Sequence, residues 1–309
     1  MRTIYSIGET TYDIIFRNDQ PSHSVVGGSV LNTSVTLGRL GLPVHFVSRL
    51  GNDKIGDISV RFLKENGVDC KNIVRFEGNS RVALAFLDHD NNAEYQFYKA
   101  QQVPSLIFPD VKENDIITFG STNAVRDEGR NDLLLFLNQA VDKRAILIYD
   151  PNIREFGKRE LVEVRRKVEE NLHLCSILKG SYQDFYRLYD TSDPEKIFVK
   201  ANRMGVKVLI ITAGDKPVVL KTEKISKQYP LEPVKAISTI GAGDNFTAGI
   251  ITGLWKNEVN VSNLMTTGID KWDEIVDFGN QLAAEVCKSD FNYISLNFAK
   301  TFSEQYLKS

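Results

Sequence analysis

"ISTIGAGDNFTAG" occupies Ile237 to Gly249, and its reading decides the fold. The stretch before it, "YPLEPVKA", has two prolines and no helical period. The stretch after it, "DNFTAGIITGLW", repeats Phe246, Ile250 and Leu254 every four residues, as on one face of a helix. A glycine-rich turn therefore delivers Asp244 to the start of a helix. Successive N–H groups of Gly241, Ala242 and Gly243 in such a turn would make an anion hole. Asp244 beside it would stand within reach of a hydroxyl attacking phosphorus. Phosphoryl transfer needs little beyond positioning, charge stabilisation and an acceptor for that proton. Taken alone, the tetrapeptide reads equally well as an aspartate capping a helix after a flexible turn.

Working outward, strands and helices alternate. "TIYSIGE" reads as a strand, "SVLNTSVTLGRLG" as a helix stopped by Gly41, "PVHFVSRLG" as a strand and "DISVRFLKENGV" as a helix stopped by Gly67. From Asp115 the rhythm resumes with "DIITFGS", "AILIYD", "SILKGS" and "VKVLIITAG" as strands. These are apolar runs without alternation, as expected when helices cover both faces of a sheet. Several end in a polar residue or glycine (Gly120, Asp150, Ser181, Gly214), where ligands of open α/β sheets gather. The stretch from Val74 to Tyr98 departs from this rhythm. Two β-rich runs joined by "DHDNNA" predict a hairpin, which with "TYDIIFRNDQPSHSVVGG" would form a small separate sheet.

The 309 residues suffice for one large α/β domain or two ordinary ones. Composition is ordinary for a globular protein, with 42% hydrophobic and 25% charged residues. A formal charge of −2 argues against an overall grip on nucleic acid. Cys70, Cys175 and Cys287 lie far apart without CxxC spacing, which disfavours disulfides and zinc. His23, His45, His89 and His173 are scattered without metal-ligand spacing. No run of ~18 apolar residues could span a bilayer. Glu9 and Asp13 stand where a secretory leader would need an apolar run. These features lead to the expectation of a cytoplasmic protein without nucleic-acid or membrane partners. A P-loop, GxxxxGK(S/T), is absent, and Phe246 replaces the third glycine of a dinucleotide fingerprint.

"GETTYDIIF", "GGSVLNTSVTLGRLG", "LGNDKIGD", "DPNIR" and "STIGAGDNFTAG" occur in this order. The series resembles the ribokinase-like (PfkB) family of carbohydrate kinases over most of the chain, closest to its fructokinase and 2-keto-3-deoxygluconate kinase branch. The resemblance implies one α/β domain over 1–309, a central, mainly parallel sheet flanked by helices. It also implies a β-lid, here built from roughly 11–26 and 74–100. It implies ATP-dependent, magnesium-assisted phosphorylation of a sugar hydroxyl, usually a primary one, on a ketose such as fructose. The 2-keto-3-deoxygluconate, ribose and nucleoside kinases of the family are alternatives, as is a non-catalytic sugar-sensing relative.

The family roles transfer by motif. Asp244 matches the catalytic base, and Gly241, Ala242 and Gly243 the anion hole. Asp13, Gly27, Gly28 and Asn32 match positions that hold sugar hydroxyls, a task suited to carboxylate and carboxamide groups. Asp150, Asn152 and Arg154 match a D-x-N-x-R segment, in which Arg154 could reach a phosphate or substrate carboxylate. Tyr98 and Lys99 match the end of an F-x-F-Y-R lid run, with lysine replacing an arginine whose bidentate contact it cannot make. Lys179, Ser181 and Asp184 stand for K-x-N-x-x-E. Ser181 is thus expected near the nucleotide phosphates and Asp184 near magnesium, through water. Thr212 and Gly214, of T-x-G-x-x-G, would line the phosphates, and Asn280 would border the adenine. Ser238 replaces the aspartate that usually opens the GAGD motif and helps bind a monovalent cation. The later loop of that site reads "SDFNYIS". Activity without potassium is therefore expected. Family members often pair through the lid, which makes a homodimer a further expectation.

Overall fold

The computed structural model describes residues 2–87, 93–100, 103–153, 156–157, 160–214 and 216–308. The first half contains strands β1 (Ile4–Ile7), β2 (Thr11–Arg17) and β3 (Gln20–Gly27), then helix α1 (Ser29–Arg39). Next come β4 (Val44–Gly51), α2 (Lys54–Glu65), β5 (Ile73–Phe76), β6 (Val82–Leu87), β7 (Ala93–Tyr98) and β8 (Ile116–Gly120). The middle alternates α3 (Arg130–Asp142), β9 (Ile146–Asp150), α4 (Leu161–Leu172), β10 (Ile177–Ser181), α5 (Tyr182–Tyr189) and α6 (Pro194–Arg203). Strands β11 (Val208–Ala213), β12 (Lys216–Lys221) and β13 (Ser226–Tyr229) precede helices α7 (Ala242–Lys256), α8 (Ile269–Val286) and α9 (Leu296–Tyr306).

The apolar runs pair in parallel, as their lack of alternation requires. The central sheet has nine strands in the order β13-β12-β11-β10-β9-β8-β1-β4-β5. Its strands from β11 to β5 are parallel, while β12 and β13 form an antiparallel edge. Every residue of β1, β8 and β9 is buried. Helices cover both faces, and two apolar clusters fill the space on either side. The chain order reverses at β1, which lies between β4 and β8. That reversal opens a crevice beyond the carboxyl ends of the strands.

A second sheet, β3-β2-β6-β7, is the expected lid. Its two hairpins join through a parallel β2–β6 pairing that sets Asp13 beside Ala83. The turn "DHDNNA" lies mostly outside the described residues. One boundary needs correction. Residues 74–76 belong to β5, the edge strand beside β4, where they pair with Arg49, Leu50 and Gly51. The lid is therefore 11–27 with 82–98.

Helix α7 forms as its four-residue repeat predicts, with Phe246, Ile250 and Leu254 all buried. It lies close against α8 because glycines face the contact. A Cβ on Gly249 would sit 2.4 Å from the Phe278 carbonyl oxygen, and one on Gly253 2.8 Å from Ile275 Cα.

Candidate active site

The amino end of α7 is the centre of the site. Gly241 precedes it at φ 81°, a left-handed conformation that glycine tolerates best. A Cβ there would stand 2.7 Å from the Asn292 carbonyl oxygen. The first-turn N–H groups of a helix have no intrahelical acceptor and carry the positive end of its dipole. The Ala242 N–H leans on the Thr239 carbonyl at 3.3 Å.

Asp244 follows in that first turn, and α1 reaches it with three side chains. Ser29 Oγ donates to its Oδ1 at 2.6 Å and Asn32 Nδ2 to its Oδ2 at 2.8 Å. Thr33 Oγ1 donates to its backbone carbonyl at 2.9 Å. The sequence reading anticipated Asn32 but not Ser29. Serine and asparagine at positions three apart on α1 were the available signal, since that spacing shares a helix face.

Asp13 lies on β2, buried, with its pKa pushed up to about 6 by burial, against which a bond from Thr11 and the charge of Arg81 act. Its Oδ1 and the Oδ1 of Asn32 are buried with no hydrogen-bond partner among the described residues. Two orphaned acceptors suit the hydroxyls of a polyol. Gly27 and Gly28 leave the room they need. A Cβ on Gly27 would stand 2.5 Å from Asp13 Oδ2, and one on Gly28, at φ 128°, 2.5 Å from the Glu9 carbonyl oxygen. The structure thus brings Asp13, Gly27, Gly28, Asn32 and Asp244 into one neighbourhood.

A buried ion pair underlies the turn. Lys179 Nζ, from β10, bonds Asp150 Oδ2, at the end of β9, at 2.7 Å. A Cβ on Gly243 would lie 3.2 Å from the same ammonium. Burial raises the Asp150 pKa to about 6 against the opposing charge of Lys179, with Asp184 and Asp244 adding to the rise. Lys179 is thus a buried cation paired with Asp150, and the sequence motif assigns it no role. Its partner lies 29 residues away, beyond the reach of local pattern.

Asp184 is placed differently from expectation. Its Oδ2 accepts from the Ser181 N–H at 2.8 Å and from Ser181 Oγ at 2.6 Å, while its Oδ1 accepts from the Ile153 N–H at 2.9 Å. Ser181 and Asp184 form a capping box at the start of α5. That geometry favours capping over the water-mediated magnesium contact expected for Asp184. The same bond anchors the loop carrying Asn152, which stands at φ 42°. Arg154 lies outside the described residues. Thr212 pairs in register with Ser181 on the neighbouring strand, and Gly214, at φ 43°, follows it facing open space. Asn280, on α8, has its Oδ1 buried without a hydrogen-bond partner among the described residues. Tyr98 and Lys99, at the end of the lid strand β7, are exposed. Among the described residues no three His, Cys, Asp or Glu are grouped to hold a metal ion. No described helix is long and apolar enough to cross a membrane.

The family model described as pfkB family carbohydrate kinase matches residues 1–294. Among curated proteins, the chain is 28% identical over 234 residues to a probable fructokinase-3 of Arabidopsis thaliana, covering 73% of this chain and 68% of that one. It is 30% identical over 234 residues to a fructokinase of Solanum tuberosum, covering 73% and 70%. Among solved structures, it is similar to the fructokinase of Vibrio cholerae O395 bound to fructose, ADP and calcium. That likeness has a TM-score of 0.84 at 20% identity, over 98% of this chain and 99% of the other.

Proposed function

The chain belongs to the pfkB family of carbohydrate kinases, and on that premise we propose that it transfers a phosphoryl group from ATP to a primary hydroxyl of a ketose such as fructose. It is a sugar kinase of ribokinase-like fold. The observation that carries the finer reading is the bond from Asn32 to Asp244, which joins the sugar-hydroxyl residues to the carboxylate at the head of α7. In this reading Asp244 accepts the proton of the attacking hydroxyl, while Ser29 and Asn32 hold its two oxygens in place. The N-terminal turn of α7 and the Lys179 ammonium offset charge that develops on the transferring group. Asp13 and Asn32, each with an orphaned acceptor, orient the sugar.

Ser181, Thr212 and Gly214, at neighbouring strand ends, are assigned to the nucleotide phosphates, and Asn280 to the adenine, whose amino group suits an orphaned amide oxygen. Magnesium, when bound with ATP, supplies charge neutralisation on the phosphates. Its assignment to Asp184 fits poorly with the capping bonds, so no step depends on it. Ser238 Oγ accepts from the Ile240 N–H at 3.2 Å, and a carboxylate is missing from that position. Activity without potassium is accordingly part of the proposal.

The lid supports a further expectation. Ile14 pairs with Leu84 and Phe16 with Phe86 along one half-buried apolar face, the two Phe rings stacking at 4.8 Å. That face is offered as the contact of a homodimer, and light scattering after size exclusion checks it.

A coupled ADP-release screen over fructose, 2-keto-3-deoxygluconate, ribose and nucleosides tests the function. Ketose-stimulated turnover is expected. Preference for a nucleoside would redirect the assignment within the family, and sugar binding without turnover would point to a sensor.

A further inference from the structure

We propose that Asn245 is a positioning residue for phosphoryl transfer. Its side-chain amide holds the Gly241–Ala242 peptide so that the Ala242 N–H points into the anion hole at the head of α7. The inference rests on the sugar-kinase reading and adds to it a residue that acts through the backbone. Asn245 follows the proposed base, Asp244, but is fully buried. Its Nδ2 donates to the Gly241 carbonyl and to the Asn292 carbonyl, both at 2.8 Å. Its Oδ1 accepts from Thr36 Oγ1. Carbonyls can only accept, so the amide has one orientation in which all these partners are matched.

The bonds close into a circuit. The Ile294 N–H donates to Thr36 Oγ1 at 3.4 Å, and the Thr36 hydroxyl donates to the amide. The amide returns to the Asn292 carbonyl, in the same loop as Ile294. One side chain thus ties together α1, the turn before α7 and the loop from Ser289 to Ser295. Thr36 stands about one turn beyond Asn32 on α1. The helix that reaches Asp244 therefore also orients Asn245. A buried polar network with its bonds satisfied is rigid and specifies one arrangement.

Rigidity matters here because of what the Gly241 carbonyl controls. In a planar trans peptide the C=O and the following N–H point in opposite directions. The Gly241 carbonyl accepts from the Asn245 backbone N–H at 2.9 Å as well as from the side chain, and both draw it along α7. The Ala242 N–H is thereby turned outward from the amino end of the helix. Its bond there to the Thr239 carbonyl is long, at 3.3 Å, and open to exchange for a phosphoryl oxygen. Gly241, at φ 81°, imposes little on that peptide plane by itself. The amide supplies the constraint, and a donor lowers the barrier most when it is aimed before charge develops.

The test compares Asn245→Ala with Asn245→Ser. A serine hydroxyl has one proton to donate and, within a helix, bonds the carbonyl four residues back. Thr247 bonds Gly243 in this way at 3.1 Å, and Thr252 bonds Ala248 at 2.8 Å. Serine therefore restores the hold on Gly241, while both variants lose the Asn292 bond and should melt lower by similar amounts. With the preferred sugar, Asn245→Ala should lower kcat at least ~10-fold, part of what loss of one aimed donor costs. The sugar KM should stay within about twofold, because the contact acts on the transferring group alone. Asn245→Ser should keep kcat ~3-fold or more above that of Asn245→Ala, the factor one hydrogen bond supplies. If neither variant folds, Thr36→Val against Thr36→Ser makes the same comparison through the hydroxyl that orients the amide. A kcat equally lowered in both variants, or unchanged in both, would overturn the inference. Absence of turnover with every sugar would instead overturn the kinase reading. Calorimetric affinity for a β,γ-imido analogue of ATP, relative to ADP, then decides the role of Asn245. Asn245→Ala should shrink that ratio more than Asn245→Ser, and equal ratios would overturn the inference.

Discussion

Asp13 is a carboxylate placed where ionisation is costly. Its pKa is raised from 3.8 to about 6, chiefly by burial. Below about 4 both folded and unfolded chains hold the proton. As pH rises from there through about 6, the unfolded chain ionises first and stability is lost. Asp13→Asn should therefore raise the melting temperature at pH 8, by the equivalent of at most ~3 kcal/mol, and the gain should vanish near pH 4. Scanning calorimetry across this range checks it. Sugar binding runs the other way, since only the ionised carboxylate accepts at both oxygens. The KM for sugar should rise as pH falls below about 6. Gly27→Ala forces a Cβ to within 2.5 Å of Asp13 Oδ2. It should raise KM by roughly 10-fold or more, the cost expected when a charged group loses a hydrogen bond. An unchanged KM would remove Asp13 from the sugar site. At this scale the sequence was informative where a motif named the residue, as for Asp13 and Asn32. It was silent where the partner lay far along the chain, as for Arg126 and Glu9, 117 residues apart.

Helix α7 carries the proposed anion hole at its amino end, so its seating on α8 governs the site. Gly249→Ala must displace the Phe278 carbonyl, 2.4 Å from the new methyl, which backbone cannot do cheaply. Overpacking of this kind costs ~1–3 kcal/mol, and a fall in the urea midpoint with an unchanged slope would register it. The loop from Ser289 to Ser295 packs beside the same turn, where the Asn292 carbonyl accepts from Asn245 Nδ2 at 2.8 Å. With serine at 238, substitution of sodium or choline for potassium should leave turnover within about twofold, a difference under ~0.5 kcal/mol. Strong potassium activation would contradict that. Element existence was legible because periodicity is local: Phe246, Ile250 and Leu254 marked α7, and unalternating apolar runs marked the parallel strands. Membership of β5 was not legible. Four half-buried residues, Ile73 to Phe76, carry no pattern that distinguishes the edge of one sheet from the start of another.

Across the whole molecule, the reversal of strand order at β1 draws the candidate site residues together. Glu9 follows β1, Asp150 ends β9, Ser181 ends β10, and α7 returns to cap the same side with Asp244. The lid adds Asp13 from β2, a strand that pairs with β6 rather than with the central sheet, and Arg81 stands just before β6. Alternating elements pointed to the architecture, but the meeting of α1 with α7 is a tertiary contact across 212 residues. Only the fold reveals that Ser29 and Asn32 hold Asp244. The central claim is that this carboxylate takes the proton of a sugar hydroxyl during phosphoryl transfer. It is tested most directly by the turnover of Asp244→Asn with fructose, alongside calorimetric sugar binding. The account predicts a fall in kcat of at least ~10²-fold, with sugar affinity nearly intact. Turnover close to that of the unmodified enzyme would contradict it.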